Sequence, residues 1–203
     1  MVICVTGPMA AGKNYVSSLM EQMSVDGKMF VSIDADIAGH DAVDGSALKI
    51  METFGDLAEK KGILLADENG KIIRRNLGAL IFGNPELVSK QESIVYPKIT
   101  STIEKFIEEN SGKNVIVNAT VLFKIPLVKK MDAIIYVDCP WFIRLWRARK
   151  RDGMKLSQIL ARFRSQKNLY ASYLETGVRV IRISNHGCRK RLQKKVRFVI
   201  TNC

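Results

Sequence analysis

Unbroken apolar runs punctuate this chain and predict buried strands. They fall at residues 2–6 (Val2-Ile3-Cys4-Val5-Thr6), 29–33, 114–119 and 133–138. A strand covered on both faces has no polar side to show, so it reads as a continuous run and not as an alternation. Residues 178–183 do alternate, Val178-Arg179-Val180-Ile181-Arg182-Ile183, and predict a fifth, more exposed strand. Between the runs, apolar residues return at helical spacing. A helix is expected over 13–25, closed by Asp26-Gly27, and a short one over 46–55 with Ala47, Leu48, Ile50, Met51 and Phe54 apolar. Strands separated by helical segments indicate an α/β fold built on a five-stranded parallel sheet.

Residues 56–113 read as mainly helical and form a long insertion between two strands. Within it, Asp67-Glu68-Asn69-Gly70-Lys71 marks a tight turn. Arg74-Arg75-Asn76-Leu77 opens a helix that stops at Gly83-Asn84-Pro85. Pro85 suits the first position of the next helix. That helix is expected to end before Tyr96-Pro97, because a residue preceding proline avoids the helical region. Another helix is expected over 99–109. After the fourth strand, 141–151 reads as a helix, and Ser157 would cap one over 158–174. A last helix from about residue 187 carries Leu192, Val196, Val199 and Ile200 as an apolar stripe, with a solvated basic side.

Composition narrows the partners more than the fold. With 203 residues, 47% of them hydrophobic and 26% charged, the chain can bury a sizeable core as one domain. No apolar run nears the ~20 residues a membrane helix needs, and no positively charged leader precedes the first strand, so no membrane partner and no signal peptide are expected. Cys4, Cys139, Cys188 and Cys203 share no metal-ligand spacing, and reduced thiols in the cytoplasm are the simplest account. The net charge of +12 favours anionic partners. A substrate carrying several phosphates fits it; nucleic acid is not expected, since no aromatic–basic stacking motif accompanies the basic tail. A monomer or weak homo-oligomer is the expected assembly.

The chemistry starts at Gly7-Pro8-Met9-Ala10-Ala11-Gly12-Lys13-Asn14, between the first strand and first helix. Strand, glycine loop, lysine, helix is the context in which G-x-x-x-x-G-K cradles phosphates. Inward N–H groups form an anion nest, and the helix start adds the positive end of its dipole. Lys13 would reach the outer phosphates, and the backbone from Gly7 to Tyr15 would hold the phosphate chain of a nucleotide. Asn14 stands where Ser or Thr normally ligates Mg²⁺, so its amide oxygen is the candidate metal ligand. The second strand delivers Asp34-Ala35-Asp36 at its carboxyl end, where ligands of open α/β sheets bind. On an extended segment the two carboxylates share a face; each reads either as a group at the site or as a turn or cap residue. Arg144, Arg147 and Arg151 share one helix face. They read as part of a lid over 140–176 that neutralises the transferred phosphoryl group and excludes water, or as a solvated basic face.

In order along the chain, these motifs resemble the dephospho-CoA kinase family. The resemblance rests on the loop at the start, Ile33-Asp34-Ala35-Asp36 with His40, and Phe54-Gly55. It continues through Asn69-Gly70-Lys71-Ile72-Ile73-Arg74, Asn84-Pro85-Glu86 and Tyr96-Pro97-Lys98-Ile99. It closes on Leu145, Arg147, Arg151-Asp152, Arg162, Gln166 and Asn185-His186-Gly187. It implies a P-loop NTPase-type three-layer α/β/α domain with a helical CoA-binding insertion at 56–113 and a helical lid. It implies transfer of the ATP γ-phosphoryl group, with Mg²⁺, to the ribose 3′-hydroxyl of dephospho-CoA. Lys13, Asp36 and Arg147 would be catalytic, Asp36 taking the hydroxyl proton; Arg144 and Arg151 would join the ATP site; Asp34, Asp36, His40, Arg74 and Tyr96 would hold substrate. The chain departs from the pattern at Asn14, at Pro8, at Tyr96 in place of His, and at Thr120 and Lys124 in place of Pro and Glu. Two alternatives stay open on sequence: a kinase for another nucleoside-type alcohol, and a nucleotide-binding protein with weak or lost transfer.

Overall fold

β1 (Val2–Thr6) is the axis of the sheet. In a computed structural model of the chain, residues 1–202 are described, the side chain of Asp152 left aside; Cys203 lies outside them. β1 runs into α1 (Lys13–Glu21), then β2 (Ser24–Val25) and β3 (Lys28–Asp34). Next come α2 (Ala35–Asp44), α3 (Ala47–Lys60), α4 (Arg74–Ile81) and α5 (Pro85–Glu109). β4 (Asn114–Asn118), two short 3₁₀ turns and β5 (Ala133–Asp138) follow, then α6 (Trp141–Asp152), α7 (Leu156–Ser165), α8 (Leu169–Leu174), β6 (Val180–Ser184) and α9 (Arg189–Ile200). The described residues divide into two units, Met1–Ala35 with the chain from Phe106 on, and Asp36–Lys105. None of the described helices is long and apolar enough to cross a membrane.

In the first unit the sheet has six strands in the order β2-β3-β4-β1-β5-β6. The expected count of five is therefore corrected. Five strands are parallel, and β2 adds an antiparallel edge. Helix α1 stops at Glu21 and not near residue 25, because Asp26 (φ +51°) and Gly27 (φ +74°) form a two-residue hairpin turn. An Asp-Gly pair with both φ positive is a hairpin signal as much as a helix stop. Since β1 lies between β4 and β5, its following loop sits where the chain crosses to opposite sides, the usual ligand crevice of such sheets.

One face of the sheet presents Ile3, Val5, Ile116, Ile135, Val137 and Ile183 to Leu19 and Met20 of α1 and to Leu192, Val196 and Ile200 of α9. Alternate residues of each strand share a face, so β1 and β5 feed this layer with every second side chain. Complete burial of side chains such as Ile3, Ile135 and Met20 contributes roughly 1.5–3 kcal/mol each. The loop that follows β1 therefore stands on a rigid base.

Four further helical boundaries differ from expectation. The short helix over 46–55 extends to Lys60 as α3, because Ala58 continues the buried stripe of Ile50 and Phe54. The stop expected before Tyr96-Pro97 does not occur: α5 runs through Pro97 to Glu109, merging two expected helices. Val95, Ile99 and Ile103 are buried on one stripe across the proline, and that packing outweighs a missing N–H donor. Ser157 is not a cap, since α7 begins at Leu156. The single helix expected over 158–174 breaks at Gln166, whose side chain is engaged elsewhere, and resumes as α8.

The second unit carries α2, α3, α4 and most of α5. It overlaps the insertion expected over 56–113 but starts earlier, with α2 and α3 inside it. Its turn at 67–71 is as the sequence indicates. The Asp67 carboxylate accepts from the Asn69 and Lys71 amides (2.9 and 3.0 Å), and Ala66 bridges Ile72.

Candidate active site

The loop after β1 takes positive φ at three residues, two of them glycines: Gly7 (+147°), Ala10 (+61°) and Gly12 (+98°). A Cβ at Gly7 would strike the Val137 carbonyl oxygen of β5, and one at Gly12 would strike the Asn185 amide. Gly7, Pro8, Met9 and Ala11 are buried, while Ala10 and Gly12 are partly open. The Ala11 amide closes the loop on the Pro8 carbonyl at 3.0 Å. Gly12 is the N-cap of α1 and lends no side-chain cap, and the first turn of α1 holds no acidic residue. The first N–H groups of α1 and its positive dipole end are thus left for an anion. Lys13 opens α1, half-buried, and its ammonium donates to Thr120 Oγ1 at 3.0 Å.

Side chains from the late segment hold this loop by its carbonyls. Arg147 donates through Nη1 to the Ala11 carbonyl (3.4 Å) and Cys139 Sγ (3.5 Å), and through Nη2 to the Asn185 carbonyl (3.3 Å). Asn185, buried after β6, donates Nδ2 to the same Ala11 carbonyl at 2.8 Å. Arg144 donates Nε to the Met9 carbonyl at 3.0 Å and lies 4.1 Å over the Phe163 ring. Burial lowers the Arg144 pKa from its usual value. Gln166 Oε1 accepts from the Met9 amide at 2.7 Å. Both polar groups of one loop peptide segment are therefore gripped from α6 and from the α7–α8 break. Residue-by-residue reasoning did not find the roles of Gln166 and Asn185. The resemblance includes both residues in its closing motifs but gives neither a partner.

Two cavities flank Gly12 and Arg147. One, about 300 Å³, is lined by Tyr15, Asn185, Gly187 and Arg189 as well. The Arg189 guanidinium lies 5.8 Å from the Tyr15 ring centre there. The other, about 460 Å³, adds Ala10, Trp146, Lys150 and the exposed Arg151. Both are cationic, and both border the uncapped helix start.

At the carboxyl edge of the sheet, Asn14 Oδ1 accepts from Asn118 Nδ2 at 3.1 Å. Asn118 ends β4, is only 6% exposed, and its own Oδ1 is buried with no hydrogen bond. Asp34 pairs in register with Asn118. The expectation that Asp34 and Asp36 share a face of extended chain is corrected. Asp34 ends β3, whereas Asp36 lies in the first turn of α2, because the strand turns directly into a helix at Ala35. The turn into a helix ends the two-residue alternation that puts neighbours i and i+2 of a strand on one face.

Among the described residues there is no group of three His, Cys, Asp or Glu able to hold a metal. The donors at the Lys13 end are the amide oxygens of Asn14 and Asn118, one of them unsatisfied. Such hard oxygens fit a Mg²⁺ ion that takes its remaining ligands from phosphates and water.

Four candidate substrate residues belong to the second unit. Asp36 and His40 are exposed on α2. Arg74 begins α4 and pairs with Asp44 at 3.5 Å, a carboxylate shared with Lys71 at 3.3 Å. Tyr96 is half-buried on α5, where burial and then its bond to Glu92 raise the phenol pKa.

A family model described as dephospho-CoA kinase matches residues 1–176. A dephospho-CoA kinase of Treponema denticola is 32% identical over 200 residues, covering 97% of this chain and 87% of its own. One of Treponema pallidum is 29% identical over 203 residues, covering 98% and 94%. Among solved structures, a dephospho-CoA kinase from Campylobacter jejuni superposes with a TM-score of 0.60 at 26% identity, covering 99% and 96%. The Thermus thermophilus protein TT1252 shares the fold, with a TM-score of 0.79 at 20% identity over 100% and 97% of the two chains.

Proposed function

The chain belongs to the dephospho-CoA kinase family, and from that premise we propose how its residues serve the reaction. It is a kinase that phosphorylates dephospho-CoA with ATP. The acceptor is the ribose 3′-hydroxyl, and the products are coenzyme A and ADP. The observation that carries the assignment of the site is the uncapped start of α1 behind a glycine loop, with Lys13 at its head.

The triphosphate lies along the loop from Gly7 to Asn14, its oxygens taking the N–H groups that no side chain caps. Lys13 is the point charge on the outer phosphates. Arg147 serves by position: it holds the Ala11 carbonyl and so aims the following amides, and it lines both cavities beside Gly12. Arg144 acts through the Met9 carbonyl. Tyr15 and Arg189 border the smaller cavity, which offers a flat base a ring face and a cation at its wall. Arg151, at the end of α6, adds charge on the lid over 140–176. Asp36 accepts the hydroxyl proton. Asp34, His40, Arg74 and Tyr96 hold the dephospho-CoA, most of it on the insertion over 56–113. Mg²⁺, held by Asn14 with Asn118 behind it, would neutralise charge on the phosphates when bound.

The enzyme works as a monomer or weak homo-oligomer, without nucleic acid. We assign it to the cytoplasm, which keeps the free thiols of Cys4, Cys139 and Cys188 reduced. Coupled turnover of ATP with dephospho-CoA, adenosine and other ribosyl alcohols tests the reading. Coenzyme A formation from dephospho-CoA alone is expected. Tight ATP binding with no coenzyme A formed at saturating Mg²⁺ overturns it.

A further inference from the structure

Thr120 sits two residues beyond β4, and its carbonyl is held by two separate groups, next to a residue still bonded to the sheet. The Ala119 amide bonds the Val5 carbonyl at 3.1 Å, extending the sheet by one step. The Thr120 carbonyl accepts from the Tyr173 hydroxyl at 3.2 Å and from Thr6 Oγ1 at 3.4 Å. That same Tyr173 oxygen accepts from the Leu122 amide at 3.0 Å. Tyr173 is completely buried on α8, its ring edge-on to Phe123 with centres 5.3 Å apart. Burial, first among the causes, pushes its phenol pKa up, so it keeps its proton and donates at every physiological pH.

What this fixed segment presents to the cradle is a side chain. Thr120 Oγ1 accepts from the Lys13 ammonium at 3.0 Å. A hydroxyl has two acceptor lone pairs and one donor hydrogen. Accepting from an ammonium uses a lone pair and leaves that hydrogen to be donated elsewhere. Thr120 is half-buried, beside the cation expected to meet the outermost phosphates.

We propose that Thr120 is a phosphate-binding residue of this site. It holds Lys13 in place and donates its own hydroxyl hydrogen to the terminal phosphoryl group of the bound nucleotide, with Tyr173 as the residue that positions it. The proposal rests on the kinase reading above and deepens it, for it names a second donor at the transferred group. A proline, which the family pattern resembled by this chain has here, supplies no side-chain donor.

The test is nucleotide affinity measured by calorimetry without any acceptor, comparing ATP with ADP. Thr120→Val keeps the shape and removes the hydroxyl. Its ATP affinity is expected to fall about tenfold, as for loss of one hydrogen bond to a charged group, while ADP affinity changes less than about twofold and Thr120→Ser restores ATP binding. Tyr173→Phe keeps the ring and loses the anchor; it is expected to lower the ATP-to-ADP affinity ratio in the same sense, and it decides the matter should Thr120→Val not fold. An unchanged ratio in these variants, or equal losses for both nucleotides, overturns the proposal. Failure of the wild type to form coenzyme A while the ratio still shifts would instead sink the kinase reading and leave this donor standing.

Discussion

Replacing Gly12 by alanine should damage the cradle more than the fold, and Gly7 the reverse. Gly12 has φ +98°, beyond the left-handed well that Ala10 occupies at +61°, so a side chain there is strained by about 1–2 kcal/mol. Its Cβ would also meet Asn185 Nδ2, which must let go of the Ala11 carbonyl. Losing that buried bond costs about 1 kcal/mol more. A total of about 2–3 kcal/mol corresponds to a Tm lower by about 4–12 °C for a chain of this size. Arg147 donates to the Ala11 carbonyl as well and to the Asn185 carbonyl, so the displaced amide disturbs an arginine that aims the loop. ATP affinity should fall at least about tenfold, the loss equivalent to one charge-assisted bond. At Gly7 the obstacle is a main-chain carbonyl of β5, a strand paired on both sides, which cannot swing away. Gly7→Ala should therefore be the less stable variant. Thermal unfolding followed by circular dichroism, with ATP titration of each variant, reads both effects. A Gly12→Ala protein within about 2 °C of wild type, less than 1 kcal/mol by the same scaling, with unchanged ATP affinity would refute the reasoning. So would a Gly7→Ala protein more stable than Gly12→Ala.

Three further outcomes are expected. Lys13→Ala should lower kcat by orders of magnitude with Tm nearly unchanged; near-normal turnover would remove Lys13 from the site. Asn14→Ser should keep or raise turnover at saturating Mg²⁺, since a hydroxyl suits the ion. It should also lower Tm by about 2–8 °C, because the buried Asn118 Nδ2 loses its acceptor at a cost of about 1–2 kcal/mol; loss of activity at full Mg²⁺ would show that the amide has its own task. In a Cys203→Ser background, a thiol reagent at pH 8 should label the exposed Cys188 and spare Cys4, whose thiol burial pushes up to about 12. The folded pKa lies above the unfolded one, so this thiol's contribution to stability is intact below about pH 9 and is lost as pH rises toward 12. Rapid labelling of Cys4 in the folded protein at pH 8 would contradict that burial.

Much of the architecture was legible in the chain itself. The apolar runs that became β1, β4 and β5 had to be strands buried on both faces, because nothing polar interrupts them. The apolar stripe Leu192, Val196, Val199 and Ile200 had to face a core, and it does. The phosphate loop was legible for a different reason: its work is done by backbone, and Gly7 and Gly12 mark where only glycine allows the required φ. Local rules failed where packing opposed them. Pro97 is a helix stop by steric preference, yet Val95, Ile99 and Ile103 are buried across it and the helix goes on.

The partners of the loop belong wholly to tertiary structure. Nothing near Met9 in sequence announces Gln166, 157 positions away, and nothing near Ala11 announces Asn185, 174 positions away. Thr120 and Tyr173, Asn14 and Asn118 are matched in the same way. Periodicity can say which residues a strand or helix will bury, since burial is a property of one element and its nearest layer. A hydrogen bond between side chain and distant backbone depends on the strand order, which brings the ends of β1, β4, β5 and β6 to one edge, and no local pattern encodes that order.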